Sequence, residues 1–288
     1  MKESMEIALA ITAPRRLAAL KSFATLDRAA LLAFLDDPQL AELLPQGAVA
    51  THLYFGSEYC EHLFPNDVDL ATALDQAERL GLKFVLPTPI ANDGLLARIV
   101  TVVTRLPAEA EVVANDWGVA QTMKVQFPRH GVVAGRQLAK MIKDPRMPTP
   151  TWNKVYPSNY RAAPYARLLS SFGIRQVELD IPPFATPDVF AVNDLAVTVW
   201  APYAYIAKGR ICKIGSLGQK TEEKFAPGRP CHRECLGILE REPDAAVSGL
   251  RTYSRGTTMF YRHDAAMFGV LHNAIAQGHV KRLVLSEV

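Results

Sequence analysis

Apolar and polar positions fall along this chain in two alternating kinds of block. Short, mostly apolar runs at 6–12, 49–55, 83–86, 111–114, 131–134, 176–181 and 196–200 have the length and content of buried strands. Between them lie longer stretches with apolar residues three and four apart. These predict helices at 69–80, 93–106 and 165–172, and one at 26–44 that starts at Asp27 and breaks near Pro38. Shorter helices are expected up to Lys124 and over 137–143. A strand at 257–261, a helix at 264–277 and a strand at 281–285 end the series. Residues 144–161, rich in proline and polar side chains, predict a long loop.

Strands that alternate with helices imply a parallel sheet wrapped in helices. Seven or eight such units in 288 residues suit a TIM-like (β/α)8 barrel, complete or distorted, since such barrels typically take about 250 residues. No low-complexity linker interrupts the pattern, so one domain over 1–288 is expected. An open doubly wound sheet is the alternative. It lacks its signature here, because no Gly-x-Gly-x-x-Gly follows an early strand.

Composition narrows the class without naming a function. Apolar residues make up 49% and charged residues 21%, and the net charge is +3, so no nucleic-acid or anionic-membrane surface is demanded. No apolar run reaches the ~18 residues that span a bilayer. The polar, acidic opening through Glu6 does not read as a secretory signal, so a reducing cytoplasm is expected.

The chemistry concentrates in the cysteines. Three of the four, Cys212, Cys231 and Cys235, stand close together late in the chain, and Cys60 stands alone just past a strand end. Four thiols complete the coordination of zinc or of an iron–sulfur cluster. Cys231 and Cys235 can face one point from a single turn of backbone. The turn between them is polar, with His232, Arg233 and Glu234, unlike a core segment. The loop back to Cys212 carries Gly215, Gly218, Pro227, Gly228 and Pro230 and has little to pack on. For Cys60 alone, a buried apolar thiol is the better reading. Zinc sites usually use two close cysteine pairs, and three clustered ligands with one remote suit an iron–sulfur cluster somewhat better; spacing leaves both open. In a barrel, functional groups gather at the carboxyl ends of the strands, where Cys60 and Cys212 both fall, so the cysteine loop is expected over the mouth.

Several stretches carry a family resemblance. Leu53-Tyr54-Phe55-Gly56-Ser57 with Cys60, Asn115-Asp116-Trp117-Gly118, Gly135-Arg136-Gln137-Leu138 with Lys143-Asp144-Pro145-Arg146, and Arg255-Gly256-Thr257-Thr258-Met259-Phe260-Tyr261 resemble, in order, segments of the collagenase-like peptidase family U-thirty-two. Within it, one early and three late cysteines are similar to the ubiquinone-biosynthesis UbiV/UbiU type. The resemblance implies that Cys60, Cys212, Cys231 and Cys235 bind a 4Fe–4S cluster and that the chain serves oxygen-independent hydroxylation of a quinone precursor. It implies prephenate as oxygen donor and a heterodimer with a UbiU-like subunit. Hydroxylation of RNA bases is the related alternative. A peptidase finds no support, for neither His-Glu-x-x-His nor Gly-x-Ser-x-Gly occurs. A structural four-cysteine zinc site in an accessory protein is the rival from another class.

Other polar residues past strand ends are candidates with competing structural roles. Asn115 and Asp116 could bind substrate or act as acid and base, although Asp116 as a helix cap stands slightly ahead. Arg136 could hold a substrate carboxylate or form a surface ion pair. Asp180 is a further rim residue. His232 and Glu58 are expected to be solvent-exposed, and Tyr203 and Tyr205 to pack under the cysteine loop.

Overall fold

A computed structural model describes residues 5–147, 149, 151, 158–192, 194–209, 212–223 and 231–287. The expected apolar runs form parallel strands β1 (Glu6–Ile11), β2 (His52–Phe55), β3 (Lys83–Pro87), β4 (Glu111–Ala114), β5 (Gly131–Ala134), β6 (Gln176–Leu179) and β7 (Ala196–Ala201). The chain then builds a separate antiparallel sheet from β8 (Tyr203–Lys208), β9 (Glu240–Arg241), β10 (Thr252–Arg255) and β11 (Thr258–Arg262). It returns as β12 (Arg282–Ser286), which pairs with both β1 and β7 and closes an eight-stranded barrel. The protein is therefore a (β/α)8-type barrel. Among the described residues its α-helices are α1 (Pro14–Ala19), α2 (Arg28–Leu35), α3 (Asp67–Arg79), α4 (Asp93–Val103), α5 (Trp117–Gln126), α6 (Ala163–Ser171) and α7 (Ala265–Ala276). None of them is long and apolar enough to cross a membrane.

Barrel strands bury both faces, one against helices and one inside the barrel, which explains their near-continuous apolar content. The interior cluster takes one or two residues from most strands: Ala8, Ala10, Tyr54, Val85, Val113, Val133, Trp200 and Val284. At the amino ends of the strands, Arg282 closes the floor. It donates to Glu6 (2.8 Å), Glu111 (3.0 Å) and Tyr54 Oη (3.0 Å), and its Nη2 lies 2.9 Å from His52 Nε2.

Local signals locate the helix ends. Asp27, Asn66, Asn92 and Asp264 each accept a backbone N–H in the first turn of the helix that follows. The break at Pro38 occurs as expected: α2 stops at Asp36 in the left-handed region, and Asp37 caps a 3-10 turn over Pro38–Glu42.

One expectation fails, and one expected strand joins a different sheet from the barrel. No helix forms over 137–143. Gln137 is held by tertiary bonds, its N–H donating to Asn115 Oδ1 and its Nε2 to Glu58 O, while the N–H groups of Leu138 and Ala139 make a single local turn back to Gly135 O, so tertiary bonds override helix propensity. The strand at 257–261 exists as β11, but it pairs antiparallel with β8 and β10 and belongs to the added sheet. Arg255 pairs with Thr258 across a two-residue turn at Gly256, whose φ of 59° suits such a hairpin. The β6–β7 connection also lacks an α-helix, carrying a 3-10 turn at Pro187–Phe190 among its described residues, so the barrel is distorted as the alternative allowed.

Candidate metal centre at the barrel mouth

The four cysteines come together at the carboxyl end of the barrel. Cys60 follows β2, Cys212 and Cys231 lie in the segment between β8 and β9, and in that segment Cys235 is buried in a 3-10 turn at Glu234–Leu236. They stand within electrostatic reach of one another. Burial raises the Cys60 thiol, and Cys231 and Cys212 add to the rise. Burial pushes Cys235 up to about 12, with Cys212, Cys60 and Cys231 adding to it. A side-chain carbon built on Gly256 would lie 3.4 Å from Cys235 Sγ and 3.9 Å from Cys212 Sγ, so this glycine leaves the two sulfurs a shared space.

Backbone donors point at three of the sulfurs. Gly215 N–H donates to Cys212 Sγ (3.1 Å) and Arg233 N–H to Cys231 Sγ (3.4 Å), and the N–H groups of His62 and Leu63 act on Cys60. Such donors favour the thiolate over the thiol, as metal ligation requires. As they stand, however, no group of three or more His, Cys, Asp or Glu among the described residues is tight enough to hold a metal ion. Ligation therefore requires the sulfurs to draw closer. The donor set fits a thiolate-bound centre; its geometry is open.

The cysteine segment is tied to its surroundings by ion pairs. Arg233 reaches Asp69 on α3 (3.0 Å), and Lys213 reaches Glu240 (3.0 Å) and Glu242 (2.6 Å). Arg255 Nε donates to the carbonyl of Cys235 (3.2 Å).

Below the thiols a pocket opens into the barrel. Its walls include Cys60, Cys235 and Gly256 above and Tyr54, Tyr59, Trp200, Arg136 and Phe260 beneath. Arg136 is wholly buried and not on the surface. Its fork donates to Glu58 (Nε to Oε1, 3.1 Å; also Nη2 to Oε2) and to Asp180 Oδ1 (2.7 Å), while its carbon lies 4.0 Å from the Trp200 ring centre. Lys143 completes the group on Asp180 Oδ2 and sits 3.2 Å from the Tyr205 ring centre. Burial alone would raise Asp180, but Arg136 and Lys143 hold its carboxyl below the usual range. Burial lowers Lys143 to about 8 against the pull of Asp180. Arg136 already serves two carboxylates, so it has no free fork for a substrate. Glu58, expected in solvent, is buried because it is half of this pair. His232 is exposed as expected.

Asn115 and Asp116 take structural roles. Asn115 is buried at the end of β4, donating to Thr88 O (2.9 Å) and accepting from Gln137 N (3.0 Å). A side-chain carbon on Gly135 would collide with Asn115 Oδ1, so the residue just after β5 must be glycine for this brace to fit. Asp116 Oδ1 caps α5 through Val119 N (2.9 Å), and Oδ2 accepts from Ala91 N (2.8 Å). Asp116→Ala is expected to cost about 1–2 kcal/mol in denaturant unfolding while leaving metal content unchanged. Loss of metal in this variant would return Asp116 to the site.

Glu178, which sequence patterning missed, stands inside the barrel. It is fully buried, accepts from Trp200 Nε1 (3.0 Å) through Oε2, and its Oε1 has no hydrogen-bond partner. Burial, aided by Glu58, raises its carboxyl from 4.5 to about 8 against Arg136 and the bonds from Trp200 and Tyr54. Between those two pH values the unfolded chain binds fewer protons here than the folded one, so this group lowers stability as pH rises through that window. Glu178→Gln, which keeps an acceptor for Trp200, is expected to exceed the wild type in stability at pH 8 by on the order of 4 kcal/mol and to come near it at pH 4.5. Denaturant titrations at the two pH values test this; an equal gap at both would show Glu178 ionised throughout. A charged residue in phase with Gln176 and Asp180, on a strand whose other positions are apolar, was the available signal.

No protein-family model and no curated protein matches this chain. Among solved structures, it is similar to the C-terminal domain of a chitinase candidate from Desulfitobacterium hafniense DCB-2, at 8% identity over 98% of this chain and 93% of that one, with a TM-score of 0.43. It is also similar to a glycoside hydrolase family 18 N-acetylglucosaminidase from Paenibacillus barengoltzii, at 10% identity over 98% and 94%, with a TM-score of 0.40. A third is the spore cortex-lytic enzyme SleL of Bacillus megaterium QM B1551, at 10% identity over 99% and 71%, with a TM-score of 0.39. Likeness at this level says nothing about the chemistry of this chain.

Proposed function

We propose that Cys60, Cys212, Cys231 and Cys235 hold a 4Fe–4S cluster over the barrel mouth, and that the chain serves oxygen-independent hydroxylation in quinone biosynthesis beside a UbiU-like subunit. The observation that supports this reading is the gathering of four thiols, from positions 60 to 235, above an aromatic-lined pocket. When bound, the cluster supplies one-electron redox chemistry. The chain's own residues supply the rest. Tyr54, Tyr59, Trp200 and Phe260 offer ring faces to a flat aromatic substrate, as a quinone precursor would present. The Glu58–Arg136–Asp180–Lys143 group fixes the pocket wall with its charges mutually paired, so it presents shape and leaves no free charge. The cluster's protein ligands must lose protons, so loading weakens as pH falls.

The rival is a zinc ion held by the same thiols, with the chain acting as an accessory protein. Colour separates the two. Protein purified without oxygen is expected to be brown, with a broad visible band that bleaches in air. A colourless protein holding one zinc ion per chain would establish the rival.

A further inference from the structure

A second cavity, of about 320 Å³, lies beside the thiol pocket and shares Tyr203, Arg255, Ser286 and Glu287 with it. Its charges do not balance. Arg15, Arg16 and Arg255 line it, against the carboxylates of Asp37 and Glu287. Glu287 is taken by Arg16 (2.9 Å), and Asp37 is held twice by Arg262 (2.7 and 2.9 Å). Arg15 and Arg255 therefore have no carboxylate partner among the described residues. Arg15 Nη2 donates to Leu236 O (2.7 Å) and Arg255 Nε to Cys235 O (3.2 Å), so each finds a carbonyl only. Burial lowers Arg255; the nearby Cys235 and Glu287 act to raise it, and the charge of Arg15 lowers it.

Two guanidiniums that repel each other beside one cavity are stabilised by an anion between them. The cavity is large enough for a small organic acid, and guanidinium forks suit the two oxygens of a carboxylate or phosphate. We propose that this cavity is a binding site for a small oxyanion, held between Arg15 and Arg255 next to the thiol segment. The site stands on the charge imbalance and not on the identity of the metal, so it survives if the thiols prove to hold zinc. Since Arg255 also donates to the Cys235 carbonyl, an anion on its guanidinium would be linked through that side chain to the cysteine segment.

Isothermal titration of the full chain at low salt, with inorganic phosphate in one arm and malonate in the other, tests the proposal. At least one anion is expected to bind, more weakly as sodium chloride is added. Arg15→Gln, on the exposed side of the cavity, and Arg255→Gln are each expected to weaken binding by about tenfold. The arm that binds more tightly tells whether the ligand class is phosphorylated or carboxylic. Arg15→Gln settles the matter if Arg255→Gln melts early. Failure of both anions to bind at millimolar concentration, or unchanged affinity in Arg15→Gln, overturns the proposal.

Discussion

Cys60→Ala is expected to leave anaerobically prepared protein with almost no iron, and so is Ala at Cys212, Cys231 or Cys235. The reason is the completeness of the donor set. Four thiols are the number a 4Fe–4S cluster takes, and a cluster short of one ligand is solvent-exposed and readily lost. Cys60 is the informative position. It comes from the loop after β2, whereas the other three come from the segment between β8 and β9, so in the proposed cluster Cys60 would be the ligand that ties that segment to the barrel. Iron and sulfide content, measured for each variant against wild type, checks this. Full iron retention in Cys60→Ala would take it out of the ligand set and return it to the role of a buried apolar thiol.

The second large effect is on folding. Arg136→Met is expected to destabilise the protein by about 3–5 kcal/mol, because it leaves Glu58 buried with no cation and Asp180 with Lys143 alone. For a chain of this size that corresponds to a fall of roughly 10 °C in Tm. Arg136→Lys is expected to rescue little, since one ammonium cannot serve two carboxylates with the geometry of a fork. Adding Glu58→Gln to Arg136→Met is expected to recover part of the loss by removing the uncompensated charge. Denaturant unfolding of the single and double variants is the measurement. A loss below about 1 kcal/mol would mean that water reaches and solvates this group.

The barrel was legible because its signal is local. Each barrel strand is a short apolar run, and each of α2, α3, α4, α5 and α7 opens on an acidic or asparagine cap, so pattern and punctuation agree element by element. What was not legible depends on partners far away in sequence. Residues 137–143 carry a helical pattern, yet Gln137 is held by Asn115 and Glu58 across 22 and 79 positions. Glu58 read as a solvent-exposed residue and Arg136 as either a carboxylate holder or a surface ion pair, until the fold joined them across 78 positions. The strand at β11 was correctly expected, but no periodicity states which sheet a strand joins. The cysteines were visible as a set, since few residue types gather for a single chemical reason. That Arg255 has no carboxylate partner among the described residues was invisible, because such a lack is a property of the whole neighbourhood.

An X-ray absorption spectrum at the iron edge, taken on protein purified without oxygen, tests the central claim most directly. The account predicts a first shell of sulfur alone and a second, short iron–iron shell, both lost in Cys60→Ala. An absence of iron, with a zinc edge showing sulfur neighbours and no metal–metal shell, would contradict it.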